Sequence, residues 1–93
     1  MTYKLDFIEV AHKEWLKLDS TIRDQFSRKL KERLENPRVP SAKLYKVKNR
    51  YKIKLRDAGY RLIYEVHDDF LIVLVVAIGR RDKSEVYELA RRR

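Results

Sequence analysis

The spacing of apolar positions switches between a period of two and a period of three to four along the chain, and each switch marks an element boundary. Tyr3-Lys4-Leu5-Asp6-Phe7 alternates, as a short strand does. Ile8, Ala11, Trp15 and Leu18 then share one face of a helix of about three turns, which makes Trp15 a core residue rather than a stacking platform. Asp19-Ser20 interrupts the pattern and offers an N-cap for a second helix. Ile22, Phe26, Leu30 and Leu34 step by four along it. Its other faces mix Arg23, Arg28, Lys29, Lys31 and Arg33 with Asp24, Glu32 and Glu35, the composition of a solvated surface. Asn36-Pro37 ends this helix, because the residue before a proline is pushed out of the α region. A short connection predicts an antiparallel hairpin of the two helices.

Arg38–Ala42, which holds Pro40, and Lys43–Arg50 read as loop. Tyr51–Arg56 alternates again, with Tyr51, Ile53 and Leu55 on one side and Lys52, Lys54 and Arg56 on the other. Asp57-Ala58-Gly59 connects it to a returning strand, Tyr60–His67, and Gly59 supplies the left-handed residue of a three-residue hairpin loop. Arg61 then stands on the side of Lys52 and Lys54. After Asp68-Asp69, Phe70–Ile78 is apolar throughout, the mark of a central strand covered on both faces, and Gly79 ends it. Asp82 and Glu85 resemble a helix N-terminal box that opens a short helix to about Ala90, with Val86, Leu89 and Ala90 docking inward. The expected fold is α+β in one domain over residues 1–93. An N-terminal strand and helix pair pack on an antiparallel sheet (β-α-α-β-β-β), a short helix closes the chain, and the helices share one face of the sheet.

Charge changes this picture from a generic small domain to a polyanion binder. The net charge is +9 over 93 residues. Most of it is local: Lys43, Lys46, Lys48, Arg50, Lys52, Lys54, Arg56 and Arg61 meet one acid, Asp57, between positions 43 and 61. Like charges at i and i+2 repel, so the fold gains nothing from them. Edge strands do use lysine to block pairing, but this density exceeds that need and indicates a phosphate-binding face. The absence of cysteine excludes disulfides and thiolate chemistry and fits a reducing cytoplasm. The start, Met1-Thr2-Tyr3-Lys4, lacks the apolar run of a signal peptide, and Phe70–Ile78 is too short to span a bilayer.

The sequence contains no glycine-rich phosphate loop and no metal-ligand spacing. His12 and His67 read as surface histidines, and the dispersed acids do not suggest a metal centre. What remains is lysine, arginine and tyrosine. With RNA that set suffices, because the neighbouring 2′-OH is itself the nucleophile. The protein need only take its proton, see the 5′-oxygen protonated and stabilise a phosphorane with preorganised cations. A tyrosine of pKa near 10 is about 0.1% ionised at neutral pH, a handicap of about 4 kcal/mol that cationic neighbours reduce. Tyr87, four residues from both Lys83 and Arg91, is the tyrosine best placed for that role. Simple packing of the last helix on the sheet explains Tyr87 equally well.

The stretches Leu5-Asp6-Phe7, Lys13-Glu14-Trp15, Lys17-Leu18, Glu35-Asn36-Pro37-Arg38, Tyr51–Arg56, Gly59-Tyr60-Arg61-Leu62 and Gly79–Tyr87 resemble the RelE toxins of the RelE/ParE superfamily over nearly the whole chain. The resemblance implies the toxin of a type II toxin–antitoxin system, a metal-independent, cofactor-free endoribonuclease that cuts mRNA in the ribosomal A site. It assigns Tyr87 as general base and Arg81 as general acid, with Lys52, Lys54 and Arg61 stabilising the phosphorane. Arginine is an awkward acid because its guanidinium holds its proton far above neutral pH, so Arg81 alternatively neutralises the leaving oxygen while water protonates it. An acidic RelB-like antitoxin is the implied partner, displacing the terminal helix and repressing the operon together with the toxin. Operator DNA is then bound only by that complex. Lys43, Lys46, Lys48, Arg50, Arg56 and Lys83 are candidate contacts to ribosome and RNA backbone. Two other readings stay open: a ParE-like gyrase inhibitor without nuclease chemistry, and a non-enzymatic nucleic-acid-binding module.

Overall fold

A computed structural model describes residues 2–45, 47–80 and 85–93. Strand β1 (Lys4–Phe7) leads into helices α1 (Glu9–Leu16) and α2 (Ser20–Glu35). A 3-10 turn at Pro40–Ala42 precedes β2 (Arg50–Leu55), β3 (Tyr60–His67) and β4 (Ile72–Arg80), and α3 (Glu85–Arg92) closes the order. The caps follow the sequence. Asp19 accepts from the Ile22 amide at 3.1 Å, and the helix ends at Asn36, ahead of Pro37. The expected capping box at Asp82 lies outside the described residues.

The four strands run in the order β1-β4-β3-β2. Three of them form the expected antiparallel meander, and β1 joins its far edge parallel to β4, so the sheet is mixed. The meander leaves β2 as an edge strand, with Lys54 opposite Arg61 and Lys52 opposite Ile63. Gly59, at φ 73°, makes the hairpin turn, and its amide donates to the Leu55 carbonyl at 2.8 Å.

Two apolar clusters sit on the two faces of the sheet. Tyr51, Ile53, Leu55, Leu62, Tyr64, Val73 and Val75 meet Ala11, Ile22, Phe26 and Leu30 from α1 and α2, with Trp15 packed at the margin against Phe7 and Phe26. Ile63, Val76 and Ala77 meet Val86 and Ala90 of α3. The terminal helix thus covers the face opposite the helix pair, a departure from the expected one-sided arrangement. The reason is the central strand. Ile63 pairs with Ala77 and Tyr64 with Val75, so Val76 is a bulged extra residue, and it joins Ile63 and Ala77 in the apolar cluster of the second face. That face needs its own cover.

β4 also starts and ends later than its apolar run. Phe70 is 73% exposed in a turn whose Leu71 is left-handed at φ 54°, and the strand continues through Gly79 to Arg80. Gly79 is no terminator. A Cβ there would lie 3.2 Å from Cβ of Val86, so the glycine lets α3 cross the strand in close contact. Among the described residues, no helix is long and apolar enough to cross a membrane.

Candidate RNA-cleavage site

Strand alternation builds the site. Tyr51, Ile53 and Leu55 are buried, which turns Lys52 and Lys54 to the face that α3 covers. Arg61 pairs with Lys54 across β2 and β3, and Ile63, two residues on along β3, carries the Val86 side of α3. Tyr87, the next residue of that helix, is half-buried above them. Its phenol oxygen accepts from Nη1 of Arg61, and the guanidinium carbon lies 5.3 Å from the ring centroid. Four of the five expected reactive side chains therefore stand on one face. Arg81, the fifth, lies outside the described residues, as do Lys46 and Lys83.

Crowding of cations has a measurable consequence at one group. The Lys54 ammonium titrates below the ordinary lysine range, chiefly because Lys52 is beside it and then because of Arg61, with burial and Arg56 adding smaller pushes in the same direction. Lys54 is thereby a readier proton donor than a free lysine.

The basic approach to the site divides into two kinds of residue. Lys43, Lys48 and Arg56 are exposed, and Lys43 and Lys48 line a hollow that reaches Lys52. Arg50 does something different from the expected RNA contact. Its Nε donates to Glu65 at 2.8 Å and its Nη1 to the carbonyl of Ala90, so its charge is spent inside the fold, holding the C-terminal end of α3 against the sheet. Its side chain is only 11% exposed. A second tie comes from the last residue. Nη1 of Arg93 donates to Glu14 and to the Val76 carbonyl, each at 2.9 Å, while Glu14 also accepts from the Ile78 amide. These bonds serve the edge of β4 beyond the point where β1 stops.

Sequence reading missed these supports because acids and arginines on solvated-looking faces carry no mark of their distant partners. Arg33 is the plainest case. It reads as surface charge, yet it donates to the buried Tyr64 hydroxyl at 2.9 Å and to the Lys52 carbonyl at 3.1 Å. The backbone that carries the first lysine is thus pinned to α2. Tyr45, 93% exposed beside the site, is an aromatic within a basic stretch, a composition that single-stranded nucleic-acid sites share.

Residues 5–85 match the family model described as the ParE toxin of the type II toxin–antitoxin system parDE. A putative RelE-like toxin protein of Escherichia coli is 54% identical over 93 residues, all of this chain and 98% of that protein. The mRNA interferase toxin RelE of Escherichia coli K12 is 52% identical over the same spans. The structure aligns with a doubly arginine-substituted Escherichia coli RelE in the free state at a TM-score of 0.91 and 50% identity, covering 99% of this chain and 97% of that one. It aligns with the toxin of the intact Escherichia coli RelBE toxin–antitoxin complex at 0.82 and 51% identity, covering 84% and 95% respectively.

Proposed function

The chain belongs to the RelE/ParE family of toxins, and from that premise we propose that residues 1–93 act as one toxin domain, an mRNA interferase that cuts ribosome-bound message without a metal. The observation that supports the reading is that Arg61 donates to the phenol of Tyr87 while Lys54 pairs with Arg61 across the strands and Lys52 stands beside Lys54. In the reaction, Tyr87 takes the proton of a ribose 2′-OH, and the freed oxygen attacks the adjacent phosphorus. The bond from phosphorus to the 5′-oxygen breaks, leaving a 2′,3′-cyclic phosphate upstream and a 5′-hydroxyl downstream. Lys52, Lys54 and Arg61 hold the charge of the phosphorane, where fixed cations are worth most because they need not reorganise. The proton reaches the 5′-oxygen from Arg81, or from water while Arg81 offsets the charge. Lys54, with its lowered affinity for its proton, assists that transfer.

The ribosome supplies what this chain lacks. Its A site holds the message bent, with the 2′-oxygen in line with the leaving group, and the exposed Lys43, Lys48 and Arg56 engage the surrounding phosphates. The partner is an acidic RelB-like antitoxin, in keeping with the complex formed by the Escherichia coli relative, and in this reading toxin and antitoxin together repress their operon.

Purified protein, programmed ribosomes and defined mRNA test this reading beside a Tyr87→Phe variant. Codon-restricted cuts are expected on ribosomes, almost none on naked RNA, and a fall of orders of magnitude in the variant. Cutting by the variant at the parent rate defeats the base assignment. The matching family model is that of ParE, so a gyrase supercoiling assay accompanies it. Gyrase inhibition without RNA cleavage selects the other toxin class.

A further inference from the structure

Beside the reactive face, a cleft of about 260 Å³ opens between α3 and residues 43–45, 47 and 50. Leu44, Val47 and Ala90 give it apolar walls, and Tyr87 forms part of its lining. Lys52 and Arg91 bring positive charge to the same space. Tyr45 also lines it, and at 93% exposed its ring contributes nothing to the core. An exposed phenol beside apolar walls, cations and the reactive tyrosine is the combination that single-stranded RNA sites use. A base stacks on the ring while its phosphates meet lysine and arginine. The volume lies below the roughly 300–1,000 Å³ of pockets for drug-sized ligands and suits one flat heterocycle.

We propose that this cleft is a nucleobase subsite, in which Tyr45 stacks on the base of the nucleotide that supplies the attacking 2′-OH. The position of that nucleotide follows from Tyr87. The phenol that takes the 2′-OH proton in the proposed reaction also lines the cleft, so the base attached to the same ribose is the one within reach. Lys52 and Arg91 then hold the flanking phosphates. The inference rests on the RNA-cleaving reading, and it assigns to Tyr45 the choice of nucleotide on the 5′ side of the cut.

Two measurements test it. In the first, the isolated protein is titrated with the four 5′-mononucleotides and with ribose 5-phosphate, followed by NMR of the Tyr45 and Tyr87 rings. Ring-current shifts are expected with nucleotides and not with the sugar phosphate. Equal shifts from both, or shifts only with an antitoxin-derived peptide, overturn the subsite. In the second, Tyr45→Ala and Tyr45→Phe are assayed on ribosomes carrying a series of codons. Loss of one stacked base should raise the half-saturating ribosome concentration of the alanine variant by roughly 5- to 150-fold. Its preference for the nucleotide 5′ of the cut should flatten, while the maximal rate stays within a few-fold and the phenylalanine variant behaves as the parent. An alanine variant with unchanged preference and half-saturation overturns the proposal. If the unaltered protein cuts no ribosome-bound RNA, the nuclease reading fails, and the NMR arm alone then decides base binding. Because Tyr45 is so exposed, its replacement leaves folding intact, which thermal melting verifies.

Discussion

Arg61 of β3 lies across the ring of Tyr87 of α3 and donates to its phenol oxygen, joining the middle of the sheet to the last helix. The contact fixes that oxygen against Arg61, whose cross-strand partner is Lys54. Nε of the same guanidinium is buried without a hydrogen-bond partner among the described residues. Arg61→Lys keeps the charge but loses the planar fork. The maximal cleavage rate should fall by about 10²–10³, the usual cost of removing one group that stabilises a transition-state oxyanion. The melting temperature should stay near the parent's. A variant that melts far earlier would show Arg61 to be a structural tie first.

Arg50 separates an internal role from an RNA contact. Arg50→Ala removes the Glu65 pair and the bond to the Ala90 carbonyl, so α3 should lose hydrogen-exchange protection. Hydrogen bonds from a charged donor contribute about 1.5–3 kcal/mol, which sets the expected loss of stability. Cleavage should slow because Tyr87 rides on α3. The salt dependence of ribosome binding should not change, whereas Lys48→Ala should make it shallower. A shallower slope for Arg50→Ala would put that residue on the RNA after all.

The lowered proton affinity of Lys54 comes first from Lys52, so Lys52→Met should return it toward the ordinary lysine range. NMR titration of the Lys54 side chain reads this directly, and an unmoved titration would refute the electrostatic cause. The same coupling has a sign in stability. Because the folded value lies below the unfolded one, the unfolded chain binds more protons between the two, and stability rises with pH through that window.

At the far end of the sheet, Asp68 accepts from Arg38 at 2.6 Å and from the Tyr3 hydroxyl at 2.6 Å. Arg38 and then Tyr3 hold its carboxyl below the usual aspartate range, and the carboxylate in turn pushes the Tyr3 phenol up. The Asp68 contribution is fully present above the unfolded value of about 3.9 and is lost as pH falls through the folded value. Asp68→Asn should therefore lower stability at neutral pH and flatten its decline in acid. Urea unfolding of both proteins at pH 7 and near pH 2 checks this. Parallel declines would exclude Asp68 from the acid limb.

The sequence by itself determined the strand alternation, the hairpin turn and the bounds of α2. The period-two run Tyr51–Arg56 placed Lys52 and Lys54 together, Gly59 returned the strand so that Arg61 joined them, and Asp19 and Pro37 bounded α2. Such signals are local, because side-chain period, capping and turn conformation are set within a few residues. Only the tertiary structure decided which face α3 covers, that β1 adds in parallel, and that Gly79 is a crossing point rather than a stop. It also decided that Arg50 and Arg33 serve the fold while Tyr45 stands free. These outcomes rest on a bulge at Val76 and on pairings between residues far apart in sequence. Their energy is the burial of one specific surface against another, and no window of the chain encodes it alone.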